Sequence, residues 1–131
     1  MTLGRTRWVV PGVRVPMGSH GPEPEMSSRD QLALLNTGTR EAQVELMAYG
    51  EDEQVGPFHC EVGARRLRLI GLGDLIDPRA LLLDTPYAVV VDSDVPIVVQ
   101  FTRYDTRQAA LATAGGLAFH ERGDTFSETG E

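Results

Sequence analysis

At 131 residues the chain is long enough for one domain and too short for two with separate cores. A hydrophobic share of 41% beside 24% charged residues excludes wholesale disorder. All 12 cations are arginine, set against 19 acids, and the formal charge of −7 repels phosphate backbones and anionic lipid headgroups while suiting contact with the basic cytoplasmic loops of membrane proteins.

Short runs of β-branched and aliphatic residues, separated by Gly, Pro, Asn and Asp, predict an all-β antiparallel domain of about eight strands, a sandwich or a barrel, over residues 1–119. The first run, residues 5–10, stops at Pro11-Gly12. The following stretch, through residues 16–25, carries three prolines and two glycines and is predicted as a long connection. Residues 31–36 and 42–49 read as a hairpin around Asn36-Thr37-Gly38. Gly50-Glu51-Asp52-Glu53 reads as a solvated acidic tip, and residues 57–62 and 66–70 as a second pair of runs broken at Gly63-Ala64. A turn-rich stretch over 71–78 precedes the two strongest strand formers, 87–91 and 97–104, the latter opened by Pro96. Residues 108–114 have helical composition, Gly115-Gly116 interrupts it, and 117–119 read as a short terminal strand. Residues 120–131 are predicted to be an acidic C-terminal tail with too little apolar surface to order itself.

Residues 32–35, 87–91 and 97–104 are apolar on both strand faces, whereas a strand with one wet face alternates with polar residues. That predicts a homo-oligomer in which a sister subunit covers the second face. The alternative is that these strands lie centrally beneath long loops.

The apolar runs fall far short of the roughly 18–20 residues a spanning helix needs. Met1 to Trp8 shows no secretory signal, so a cytoplasmic location is predicted. Cys60 stands alone, without an internal disulfide partner or a cysteine zinc cluster, and shares strand parity with Phe58 and Val62 as a small buried hydrophobe. No nucleophile elbow, phosphate loop or dinucleotide fingerprint is present, and His20, His59 and His120 are scattered. Neither catalysis nor a cofactor is predicted.

Four places are candidates for binding. Gln100, Thr102, Arg103, Asp105 and Arg107 crowd hydrogen-bonding groups at the end of an apolar strand, as sugar or carboxylate sites on sandwiches do; alternatively Arg103 and Asp105 pair with one another structurally. Trp8 either stacks on a sugar ring at such a site or belongs to the core. Arg65, Arg66 and Arg68 form a basic cluster, with Arg66 and Arg68 about 6.8 Å apart on one face, suited to adjacent phosphates of a nucleic acid or to other anions. The competing reading pairs them across strands with Glu45 or Glu61. His20, Glu23 and Glu25 carry metal-type donors in one loop, but its prolines and its single histidine favour an ordered loop without a metal.

An ordered set of short marks covers about residues 4–120: Gly4-Arg5-Thr6 with Trp8, Gly21-Pro22-Glu23-Pro24, Leu35-Asn36, Val55-Gly56-Pro57, Ala64-Arg65-Arg66, Asp74-Leu75 with Asp77-Pro78, and Asp84-Thr85. It closes on Val95-Pro96-Ile97-Val98-Val99-Gln100, Thr102-Arg103, Asp105 and Arg107-Gln108. Each mark is weak alone, but the set resembles the sensory rhodopsin transducer family. The resemblance implies a jelly-roll β-sandwich assembled as a four-fold tetramer, with likeness to carbohydrate-binding folds. It also implies docking on the cytoplasmic face of a seven-helix retinal photoreceptor, and some family members are linked to DNA. A signal-transducing adaptor is therefore the leading expectation, ahead of a small-ligand module for a sugar or organic acid, with a DNA-binding regulator third.

Overall fold

Alternation of burial decides the architecture. β2 (Arg29–Asn36) buries Asp30, Leu32, Leu34 and Asn36, and β3 (Ala42–Tyr49) buries Ala42, Val44, Leu46 and Ala48, so each turns one face to the core. The computed structural model describes residues 3–16, 29–105, 112–117 and 119–121, and its strand ladders are antiparallel throughout. The other strands are β1 (Arg5–Val13), β4 (Gln54–Val62), β5 (Arg66–Gly71), β6 (Tyr87–Asp105), β7 (Ala112–Leu117) and β8 (Phe119–Glu121), with one 3-10 turn at Leu72–Asp74.

β6 is 19 residues long and organises everything else. Its first half lies between β3 and β1, giving the order β4-β3-β6-β1-β8. Its second half lies between β2 and β7, with β5 beyond β2. The result is one curled antiparallel sheet whose two arms share β6. Val10, Val44, Leu46, Phe58 and Val89 from one arm meet Leu32, Leu34, Ile70 and Val99 from the other in a single core. Full burial of each such side chain contributes about 1.5–3 kcal/mol.

Three sequence expectations change. Residues 31–36 and 42–49 are not a hairpin: β2 pairs β5 and β6, while β3 pairs β4 and β6, so residues 37–41 arch from one arm to the other. The β4–β5 connection arches back in the same way, through a turn with Arg65 at φ 56. Residues 87–91 and 97–104 are not separate strands, because β6 is continuous across Pro96. The proline falls where β6 leaves β3 after Ser93 and joins β2 at Val98, so its missing N–H interrupts neither ladder. Side chains serve this junction instead: Ser93 Oγ accepts the Val95 N–H at 3.3 Å, and Asp94 Oδ1 accepts the Gln43 N–H at 2.8 Å. Finally, Ala112 to Ala114 are strand and not helix, paired with Asp105 to Arg103 of β6, because the ladder overrides alanine's helical preference. β8 extends through His120 and Glu121 along β1; residues 122–131 and 106–111 lie outside the described residues.

Two glycines answer specific backbone demands. Gly4 sits at φ +95, where a Cβ would come 2.0 Å from the Ile97 carbonyl oxygen. Gly56, at φ +135, opens the bulge in which Gly56 and Pro57 together oppose the single residue Met47. That bulge spares Pro57 a ladder position it could not fill.

Candidate functional site

Strand alternation splits the group at the end of β6. Gln100 and Thr102 lie opposite Ala33 and Gln31 on the outer face, whereas Arg103 turns inward against β2. There Arg103 embraces Asp30, which is only 2% exposed: Nε donates to Oδ1 at 2.9 Å and Nη2 to Oδ2 at 3.0 Å. The Arg14 backbone N–H adds a bond to Oδ2 at 2.8 Å, Arg103 Nη2 also reaches the Gly12 carbonyl at 3.3 Å, and the guanidinium lies 5.6 Å from the Phe101 ring centre. Asp30 and Arg103 thus pin β1, β2 and β6 together by a bidentate, charge-assisted pair. Asp30 is a partner of Arg103 that the sequence did not suggest, and the Asp105 side chain lies outside the described residues. Asp105 ends β6 opposite Ala112, and Arg107 lies outside the described residues.

Trp8 is a core residue. It is 8% exposed, and its Nε1–H is shared between the Arg5 carbonyl at 3.1 Å and the Ile97 carbonyl at 3.0 Å, so its ring is not offered to a sugar.

The basic cluster is exposed but partly engaged. Arg66 Nη1 donates to the carbonyls of Arg65 at 3.1 Å and Ala64 at 3.4 Å, closing its own turn. Arg68 Nη1 donates to the Glu61 carbonyl at 3.0 Å and lies 4.0 Å from the Glu61 carboxylate, bridging β5 to β4 across the gap between the arms. This is the cross-strand reading with Glu61, one of the two acids anticipated for it. Cys60 beside it is half-buried against the core, and burial pushes its thiol pKa up, with the Arg68 guanidinium opposing and Glu61 adding to the rise. His20, Glu23 and Glu25 fall outside the described residues, among which no group of three His, Cys, Asp or Glu is placed to hold a metal.

The sequence reading missed three residues that organise the surface. Asn36, fully buried, gives its Nδ2 to the carbonyls of Arg40 at 2.8 Å, Val62 at 3.1 Å and Gly63 at 3.2 Å, and accepts the Gly38 N–H on Oδ1 at 2.9 Å. One amide therefore ties both arches together. Its turn needs no positive φ at Asn36 or Gly38, contrary to the hairpin expectation. Glu53, placed at a solvated tip by sequence, is instead half-buried, pairs with Arg79 and accepts the hydroxyl of buried Tyr87 at 3.2 Å. Arg40, the third, lines a cleft of about 250 Å³ with Thr37, Thr39, Leu3, Val95 and Pro96.

On the outer face of the β5-β2-β6 arm, Leu35 lies directly between Leu67 and Val98, and Ala33 between Leu69 and Gln100. Leu67 and Leu69 are 59% and 56% exposed, and Ala33, Leu35 and Val98 are half-buried. An apolar stripe therefore runs along a sheet edge where β5 has β2 as its ladder partner among the described residues. No helix among the described residues is long and apolar enough to cross a membrane.

Fold and surface together define a small all-β domain built on a curled antiparallel sheet, its inward polar groups used as structural pins. The chain belongs to the Anabaena sensory rhodopsin transducer family, whose model matches residues 3–120. The solved structure of the Anabaena sensory rhodopsin transducer is 40% identical in sequence, with a TM-score of 0.70 over 77% of this chain and 98% of that one. A crystal structure of Thermotoga maritima 1070 has a TM-score of 0.78 at 24% identity, covering 92% of this chain and 98% of that chain, a likeness of fold alone. No curated protein matches the chain.

Proposed function

We propose that the protein is a non-catalytic cytoplasmic signal transducer that docks, as a homo-oligomer, on the cytoplasmic face of a seven-helix retinal photoreceptor. The observation that carries this reading is the family match over residues 3–120, reinforced by 40% identity to the Anabaena transducer. The charge of −7 favours encounter with basic cytoplasmic loops. The Leu67 and Leu69 stripe supports assembly, since a face of this composition is stabilised when a sister copy removes it from water. The family resemblance implies a tetramer of jelly-roll sandwiches as the form of that assembly.

The test is surface plasmon resonance over nanodiscs carrying Anabaena sensory rhodopsin, with empty nanodiscs as reference. Binding to loaded discs that weakens as salt rises is the expected result, because exposed charges are screened over about 8 Å at physiological ionic strength. Equal response on loaded and empty discs would contradict the docking reading.

A further inference from the structure

Docking onto a receptor does not account for the cleft at the end of the molecule, where the arch after β2 faces the junction of β6. Leu3, Val95 and Pro96 give it an apolar part, and Thr37, Thr39 and Arg40 of the arch line the rest. Unlike Arg7, Arg68, Arg79 and Arg103, Arg40 forms no ion pair among the described residues. Two acids close in sequence or across the ladder are already engaged by Gln43: Glu41 accepts its side-chain amide at 3.1 Å and Asp94 its backbone N–H at 2.8 Å. Arg40 is therefore the cation among the residues that line the cleft.

The rim is held in shape before any ligand arrives. Asn36 clamps Gly38 and Arg40 from beneath, at 2.9 and 2.8 Å, and fastens both to the β4–β5 turn. A ligand meeting a loop so fixed loses little affinity to ordering it. Apolar residues, two threonines and one arginine lining about 250 Å³ suit a small carboxylic acid with an apolar body, its ring or chain against Val95 and Pro96 and its carboxylate toward Arg40.

We propose that this cleft binds a small organic anion, a monocarboxylate with a compact apolar body, through Arg40. The site is separate from the receptor-docking reading, so failure of either leaves the other standing. It also differs from the carboxylate site expected around Arg103, whose guanidinium Asp30 already occupies.

The experiment is isothermal titration calorimetry of the full chain with sodium benzoate, and with benzamide as the uncharged isostere, on the wild type and on Arg40→Gln. Arg40 is exposed and its side chain pairs with no described carboxylate, so Arg40→Gln is expected to keep the wild-type melting temperature. Saturable benzoate binding is expected, with about tenfold or greater loss for benzamide and for Arg40→Gln, the factor that one charge-assisted hydrogen bond supplies. Absence of benzoate binding, equal affinity for benzamide, or unchanged affinity in Arg40→Gln would each overturn the proposal.

Discussion

Arg103→Met is expected to lower the unfolding free energy by about 3–5 kcal/mol, because it leaves the Asp30 carboxylate buried with a single backbone N–H for company. The effect is asymmetric. Asp30 is 2% exposed, whereas the Arg103 side chain is 37% exposed and water can reach its guanidinium once the acid is gone. Asp30→Asn keeps an acceptor and the shape of the side chain, so it should cost less, on the order of 1–3 kcal/mol. In a domain of this size the larger loss lowers the melting temperature by on the order of 10 °C. Urea denaturation of both variants checks the order; Asp30→Asn more damaging than Arg103→Met would mean that the pair is not the pin described.

Asn36→Ala is expected to cost about 2–4 kcal/mol, the penalty for one or two buried groups left unsatisfied at about 1–3 kcal/mol each. Four hydrogen bonds vanish together, and with them the tie between the two arches. Asn36→Asp sharpens the test. It retains the acceptor for the Gly38 N–H but loses all three donations and turns a carboxylate toward three carbonyl oxygens in a fully buried position. It should therefore be at least as destabilising as alanine in equilibrium unfolding. An aspartate variant near wild-type stability would show that the amide donations contribute little.

These two residues also show what the chain made legible and what it concealed. The inward faces of β3 and β4 follow from alternation in Val44, Leu46, Phe58 and Val62, and the all-β class follows with them. Alternation says which way a side chain points, not which strand lies alongside. The same pattern in residues 31–36 and 42–49 is compatible with a hairpin and with an arch, and the turn-forming look of Asn36-Thr37-Gly38 suggested the wrong one. Asp30 carried a readable signal, since it shares parity with the buried Leu32 and Leu34 and an acid there needs a partner. The partner, Arg103, is 73 positions away, and nothing local announces it. Pro96 punctuates the chain as if a new strand began there, while the ladders simply change hands around it. The ordered family marks gave the affiliation; the division of Gln100 and Thr102 from Arg103 needed only the period of two applied to the candidate site itself.

The proposed assembly places a sister copy over the Leu67 and Leu69 face. Sedimentation velocity at micromolar concentration reads this directly. The wild type is expected to sediment as a multiple of the 14.3 kDa chain, a tetramer if the family arrangement holds, and Leu67→Glu with Leu69→Glu should reduce it to folded protomers, since both side chains already lie exposed on the single chain. A wild type that sediments as a 14.3 kDa protomer would contradict the account.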